Sequence, residues 1–223
     1  MMRRSVLGLL AGGMSVLTLG GCGGRVSTLR YRLTVEVDTP NGIKTGSSVL
    51  EDAFNPGNSY EFSASRRIYG EVPVVDLGSG QYLFALLFVG YETNGKRSVQ
   101  NMISRMFDYP EYPSPVKSIK LVDRFAEARE SKPLIVIKPE DYPMLVTFGD
   151  IKNPKSVSAV DPGIVRRITV QVVNDDEPLN TGFETKFPQI AEKDLPFSPS
   201  DGPVNRDNLA GRLQNSNFVW REK

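Results

Sequence analysis

The chain has 223 residues, a formal charge of +1, one cysteine, one tryptophan and no histidine. Without imidazole there is no Ser-His-Asp or Cys-His catalysis, no HExxH zinc site and no histidine proton shuttle. A lone thiol excludes a disulfide framework and Cys-ligated zinc or iron–sulfur centres, and a near-neutral charge gives no electrostatic reason to bind nucleic acid.

The chain opens MMRRS and continues through the uncharged VLGLLAGGMSVLTLGG. A basic start followed by an apolar stretch at the short edge of what spans a bilayer, and interrupted by glycines, reads as a removable export signal over residues 1–21. Leu19-Gly20-Gly21-Cys22 resembles the bacterial lipobox, with Leu three places before the Cys and small residues between. The resemblance implies that Cys22 becomes a lipid-bearing thioether at a new, acylated amino terminus. Several acyl chains, at about 0.8 kcal/mol per buried CH₂, then hold the protein on a membrane without a spanning helix. The competing reading is an ordinary secretory signal with an incidental Cys. Arg3-Arg4 also matches a loose twin-arginine export motif, although a plain positive n-region accounts for both residues. Removing residues 1–21 takes away Arg3 and Arg4 and no acid, so the formal charge moves from +1 to −1.

Residues 22–28 form a small polar tether. Beyond it Leu29, Tyr31, Leu33, Val35 and Val37 alternate with Arg30, Arg32, Thr34 and Glu36, the period of a half-buried strand. Thr39-Pro40-Asn41-Gly42 is a turn, because Pro presets one φ and Asn-Gly supplies positive ones. IKTGSSVLE returns as the second strand of a hairpin. RRIYGEVPVVDL and QYLFALLFVGY flank Gly78-Ser79-Gly80 as a second hairpin, with Pro73 at an edge or bulge. LFALLFV is apolar on both faces and reads as the most buried strand.

Val99, Met102, Ile103 and Met106 fall at helical spacing, predicting a short helix over 98–107 capped by Ser98. The prolines of DYPEYPSP stop it. A second helix over 116–130 carries Ile119, Val122, Phe125 and Ala126, with Ser118 as its cap. PLIVIKP and YPMLVTFGDI read as buried extended segments, NPKSVSAVDPG as a polar loop, and IVRRITVQVV as a strand with Val165, Ile168, Val170 and Val172 inward. Turn residues are dense from Asn174 onward. In the final segment Leu209, Leu213, Phe218 and Trp220 provide apolar anchors for docking back. The expected class is α+β, mainly antiparallel sheet built from hairpins with two short amphipathic helices. The expected organisation is a signal over 1–21, a lipidated tether over 22–28, a globular domain over 29–190, and a loop-rich extension over 191–223 that docks on it.

Candidate chemistry is sparse. Ser114-Pro115-Val116-Lys117 and Lys44-Thr45-Gly46 match the S-x-x-K and K-T-G fragments of penicillin-binding enzymes, but their order is reversed and the S-x-N element is missing. Asp175-Asp176-Glu177 offers oxygen ligands without the spacing of a calcium loop and reads as a solvated turn. Asp150 and Asp161 form the best carboxylate pair for acid/base work, against simple roles in ending a strand and starting a Pro-Gly turn. The aromatic, proline-rich FDYPEYPSP offers a surface for a partner or for cell-wall sugars, or packs back on its own domain.

LTVEVDTPNGIKTGSSVLE, YPMLVTFGDIKNPKSVSAVDPG and RRITVQVVNDDEPLNTGFETKFP, spread over residues 29–190, resemble a group of uncharacterised proteins and lipoproteins of Gram-negative bacteria, mainly proteobacteria. The resemblance implies a place in the cell envelope and carries over no activity, cofactor or catalytic residue. The sequence thus leads to a lipid-anchored envelope protein with no assigned cofactor or metal site. It binds an envelope protein or cell-wall partner, attaches to the membrane through Cys22, and does not bind nucleic acid. The alternative is a small periplasmic hydrolase or ligand-binding protein that uses carboxylates. Gly23 stands where an Asp signals inner-membrane retention in enteric bacteria, which favours the outer membrane.

Overall fold

The computed structural model describes residues 26–56, 65–87, 99–107, 115–191 and 209–221. The expected signal, Cys22, Ser98, Ser114 and residues 108–114 of the aromatic segment lie outside them.

Strand β1 (Ser27–Thr39) buries Leu29, Tyr31, Leu33, Val35 and Val37, and keeps the intervening polar residues on the opposite face. This strict alternation is what a sheet with one covered face requires. Gly42, at φ 100°, closes the turn into β2 (Gly42–Asn55), and the two strands pair along their full length. With β3 (Ser65–Glu71), β6 (Leu134–Ile137), β9 (Val165–Val172) and β10 (Val219–Trp220) they form an antiparallel six-stranded sheet of order β10-β3-β2-β1-β9-β6. A second sheet, of order β4-β5-β7-β8, contains β4 (Val74–Gly78), β5 (Gln81–Ala85), β7 (Leu145–Phe148) and β8 (Val157–Ala159). The fold is mainly antiparallel sheet with few helices, consistent with α+β.

The expected strand RRIYGEVPVVDL is in fact two strands in different sheets. Val72-Pro73 is the corner between them: the Val72 amide donates to the Phe218 carbonyl, and Pro73 has no amide to leave unpaired. Just past the corner β4 crosses β2 at Gly46. A Cβ on residue 46 would lie 2.0 Å from the Val74 carbonyl oxygen. The glycine of K-T-G is therefore accounted for by the contact between sheets. As expected, β4 and β5 form a hairpin around Gly78-Ser79-Gly80, and Leu83 to Leu87 are fully buried.

Helix α1 (Val99–Met106) buries Val99, Met102 and Ile103. Helix α2 (Pro115–Ser131) starts at Pro115, which places Ser118 inside it and not at its cap. Its buried stripe is Leu121, Phe125 and Ala128, packed on Leu29, Phe54 and Val172, while Ala126 faces solvent. The apolar residues of this helix fit two neighbouring stripes, and contact with the sheet selects between them. Two further corrections concern edges. Strand β6 exposes Leu134 and Val136, and the expected polar loop contains β8, which pairs with β7. In β9 the inward set Val165, Ile168, Val170 and Val172 breaks the two-residue period, because a bulge near Arg166 shifts the register against Glu36 and Val37.

An ion pair lies deep on the covered face. Asp52 is fully buried and paired with the nearly buried Arg66, between the main core and the cluster under α2. Beside them Tyr31 is fully buried, and its hydroxyl has no hydrogen-bond partner. Burial pushes the Tyr31 pKa well above its ordinary 10.0; Asp52 adds to the rise and Arg66 opposes it.

Gly46→Ala should lower stability by about 1–3 kcal/mol through overpacking against backbone, read as a lower urea midpoint with the slope unchanged; an unchanged midpoint would contradict the close crossing. Tyr31→Phe should leave stability at pH 7 nearly unaltered, because no hydrogen bond is lost. Above about pH 10 the wild-type protein should lose stability more steeply than Tyr31→Phe, because unfolded Tyr31 ionises there and the folded residue, with its raised pKa, does not. Parallel alkaline unfolding curves for the two proteins would count against a buried, neutral Tyr31.

Candidate functional site

Where the sequence suggests only a turn-rich stretch, the chain after β9 crosses the outer face of the larger sheet. The Val173 amide donates to the Arg30 carbonyl, and the Arg30 guanidinium donates to the Glu177 carbonyl at 2.8 Å. Arg32 donates to the Glu177 carboxylate at 2.9 Å. The outward arginines of β1 therefore hold this segment; Asp175 and Asp176 form the exposed turn expected of the acidic triplet, while Glu177 is half-buried and hydrogen-bonded into the crossing.

The crossing ends at Glu71, a carboxylate only 1% exposed at the end of β3. One of its oxygens accepts from the Thr181 amide at 2.6 Å, the Thr181 hydroxyl and the Phe183 amide at 3.2 Å. The other accepts from Arg221 at 3.0 Å. A charge this deeply buried costs several kcal/mol unless its acceptor sites are filled, and here donors from both the crossing and the C-terminal segment fill them. Past Glu71 the chain turns inward through α3 (Phe183–Lys186) and α4 (Pro188–Ala191), burying Phe183, Phe187 and Ile190.

Phe84 collects these parts. Its ring meets Phe148, Phe183, Phe187 and Phe218 edge to face, with centroids 5.2–6.1 Å apart. Such pairs add about 0.5–1.5 kcal/mol each beyond burial. Ala210, Leu213 and Phe218 of the C-terminal segment lie in this same core, and β10 pairs with β3.

Between β3, the crossing and β10 lies a cleft of about 320 Å³. Tyr69, Trp220 and Leu179 give it apolar surface, and Arg30, Glu51, Glu71, Asn180 and Arg221 give it polar groups. Arg30 pairs with Glu51 at 2.7 Å, and Arg221 bridges Glu71 and Glu184, each at 3.0 Å. The lining arginines and glutamates balance, and their side chains are held before any ligand arrives. Such an arrangement can offer aromatic faces and fixed hydrogen-bonding groups, but it places no nucleophile beside a base.

Of the groups singled out in the sequence, Asp150 and Asp161 lie at opposite ends of the β7–β8 ladder, roughly 15–20 Å apart at the rise of an extended chain. The paired carboxylates of glycosidases stand within about 10 Å. Each aspartate serves its own turn: Asp150 accepts from the Lys152 amide, and Asp161 accepts from the Gly163 amide. Lys44 sits half-buried on β2, and Ser114 lies outside the described residues. Among the described residues no three His, Cys, Asp or Glu side chains converge as metal ligands. The cleft escapes sequence reading because Glu71, Thr181 and Arg221 meet only through the fold; the one faint signal is a single Trp close to an Arg. The chain matches no protein-family model, no curated protein and no solved structure.

Glu71→Ala should loosen the end of the crossing at Thr181–Phe183. Exchange of the Thr181 and Phe183 amides should rise about ten- to a hundredfold, since hydrogen bonds to a charged group contribute about 1.5–3 kcal/mol, and Trp220 emission should shift to longer wavelength. Unchanged exchange at both amides would show that the crossing is held by other contacts.

Proposed function

We propose that this protein is a lipid-anchored component of the Gram-negative cell envelope, fixed by an acylated Cys22, whose domain acts in the periplasm as a non-enzymatic binding module. The observation that carries this reading is the Leu19-Gly20-Gly21-Cys22 sequence behind a basic and then apolar leader, with β1 starting at Ser27, five residues beyond the Cys. From Cys22 to Ser27 an extended chain reaches about 17 Å. The anchor therefore holds the start of β1 near the headgroups, and Arg30, on the wall of the cleft, lies only a few residues further along.

The binding role is supported by the cleft. Its charged lining is tied by ion pairs, its volume falls at the low end of the roughly 300–1,000 Å³ usual for small-molecule sites, and its groups are paired in a way that suits recognition more than bond breaking. Asp150 and Asp161, the best carboxylate pair the sequence offers, stand roughly 15–20 Å apart along the β7–β8 ladder, which favours the binding reading over a hydrolase built on that pair. With Gly23 after the lipidated residue, the outer membrane is the favoured destination.

Fractionation of a Gram-negative host producing the full chain tests the anchor. The wild-type protein should sediment with membranes and enter the detergent phase, while Cys22→Ala should appear in the soluble periplasm or accumulate uncut. Wild-type protein that is freely soluble would overturn the anchored reading.

A further inference from the structure

Strand β6 is an outer edge of the larger sheet, and its side chains contradict its position. Leu134 and Val136 are 63% and 61% exposed; among the described residues they are the two most exposed large hydrophobic side chains, and their strand has a neighbour on one side only. Edge strands normally carry charge, Pro or a covering element to prevent further pairing. Here Lys138 and Pro139 follow the strand, but nothing polar interrupts its outer face.

The direction of its backbone groups follows from the ladder. The Val172 amide donates to the Pro133 carbonyl at 3.2 Å. Because hydrogen bonding alternates along an antiparallel strand, Pro133, Ile135 and Ile137 turn their peptide groups toward β9. Leu134 and Val136 turn theirs outward, so the exposed apolar residues also carry the open hydrogen-bonding edge. A groove of about 180 Å³ runs beside Ile135–Lys138, lined on its other side by Met102 and Met106 of α1 and by the Arg105–Asp141 ion pair.

We propose that this edge pairs with the β6 edge of a second copy of the chain, joining two larger sheets into one. The strand is self-complementary in one register. A two-fold axis through Ile135 places Leu134 of each copy directly across from Val136 of the other, on the same outer face. Both are then hydrogen-bonded pairs, and each exposed apolar side chain gains an apolar cross-strand neighbour. Such isologous contact is the usual form of homodimer. The pairing stops before Lys132, which leaves the strand at φ 45° and bonds to Asn174. This short edge is a small interface, so the dimer is weak in dilute solution and favoured where the protein is concentrated, as on a surface. It stands on the sheet edge alone and does not depend on the anchor.

Two tagged full-length copies, one with Leu134→Cys and the other with Val136→Cys, are co-produced and oxidised with copper phenanthroline, with the wild-type pair as a control for Cys22. Cα atoms of a hydrogen-bonded pair lie about 5.5 Å apart, inside the roughly 4.4–6.8 Å range of disulfides. The mixed pair should therefore cross-link at least tenfold more than Leu134→Cys with itself, whose two sites are offset along the strands. Separately, with the copies cross-linked by formaldehyde in the producing cell before lysis, Val136→Lys should abolish co-capture of two differently tagged copies. Ile43→Lys, at another exposed apolar residue (52% exposed), should not. Mixed cross-linking no higher than the wild-type background, or equal loss of co-capture in both lysine variants, would overturn the dimer. Cross-linking that persists in a protein found soluble would support this interface while removing only the anchor.

Discussion

Glu71 is the point on which the outer half of this structure depends. It is a buried carboxylate at the end of a strand, one residue before the chain leaves one sheet for the other. Its charge is tolerable only because Thr181, Phe183 and Arg221 all donate to it. Those donors come from the crossing after β9 and from the C-terminal segment, so one electrostatic requirement draws together three distant parts of the chain. The cleft is the space they leave between them. A neutral residue would not impose this arrangement, because it would lose little by being left without partners.

Inside, the same parts are held by packing. Gly46 lets the backbone of β4 lie directly on β2, which sets how closely the two sheets approach. Phe84 then fills the interior from β5, with rings from β7, α3 and the C-terminal segment set edge to face around it. The crossing is therefore pinned twice, by Glu71 on the outside and by Phe183 within. The outer face of β1 contributes as well, since Arg30 and Arg32 reach Glu177.

What could be read directly was local and periodic. The alternation of β1, the Asn41-Gly42 turn, the unbroken apolar run at Leu83–Leu87 and the alternation of Ile168, Val170 and Val172 in β9 are each fixed by near neighbours, and each appears as the residues suggest. What escaped depends on contacts distant in sequence. Nothing around Pro73 shows that β3 and β4 belong to different sheets, and nothing around Leu134 shows that its strand lies at an edge. On α2, Ala126 and Ala128 are equivalent until Leu29 and Phe54 choose the stripe that is covered. Phe183, Phe187 and Glu71 sit among turn residues and charges, and their burial follows only from the crossing. The cleft was illegible for the same reason.

The central claim is that Cys22 carries the lipid that holds this domain at a membrane. Mass spectrometry of the amino-terminal peptide from protein purified out of a Gram-negative host tests it most directly. The account predicts a peptide that begins at Cys22 and carries the added mass of a diacylglyceryl group on sulfur and an acyl group on nitrogen. A peptide beginning at another residue, with Cys22 absent or bearing an unmodified thiol, would contradict it.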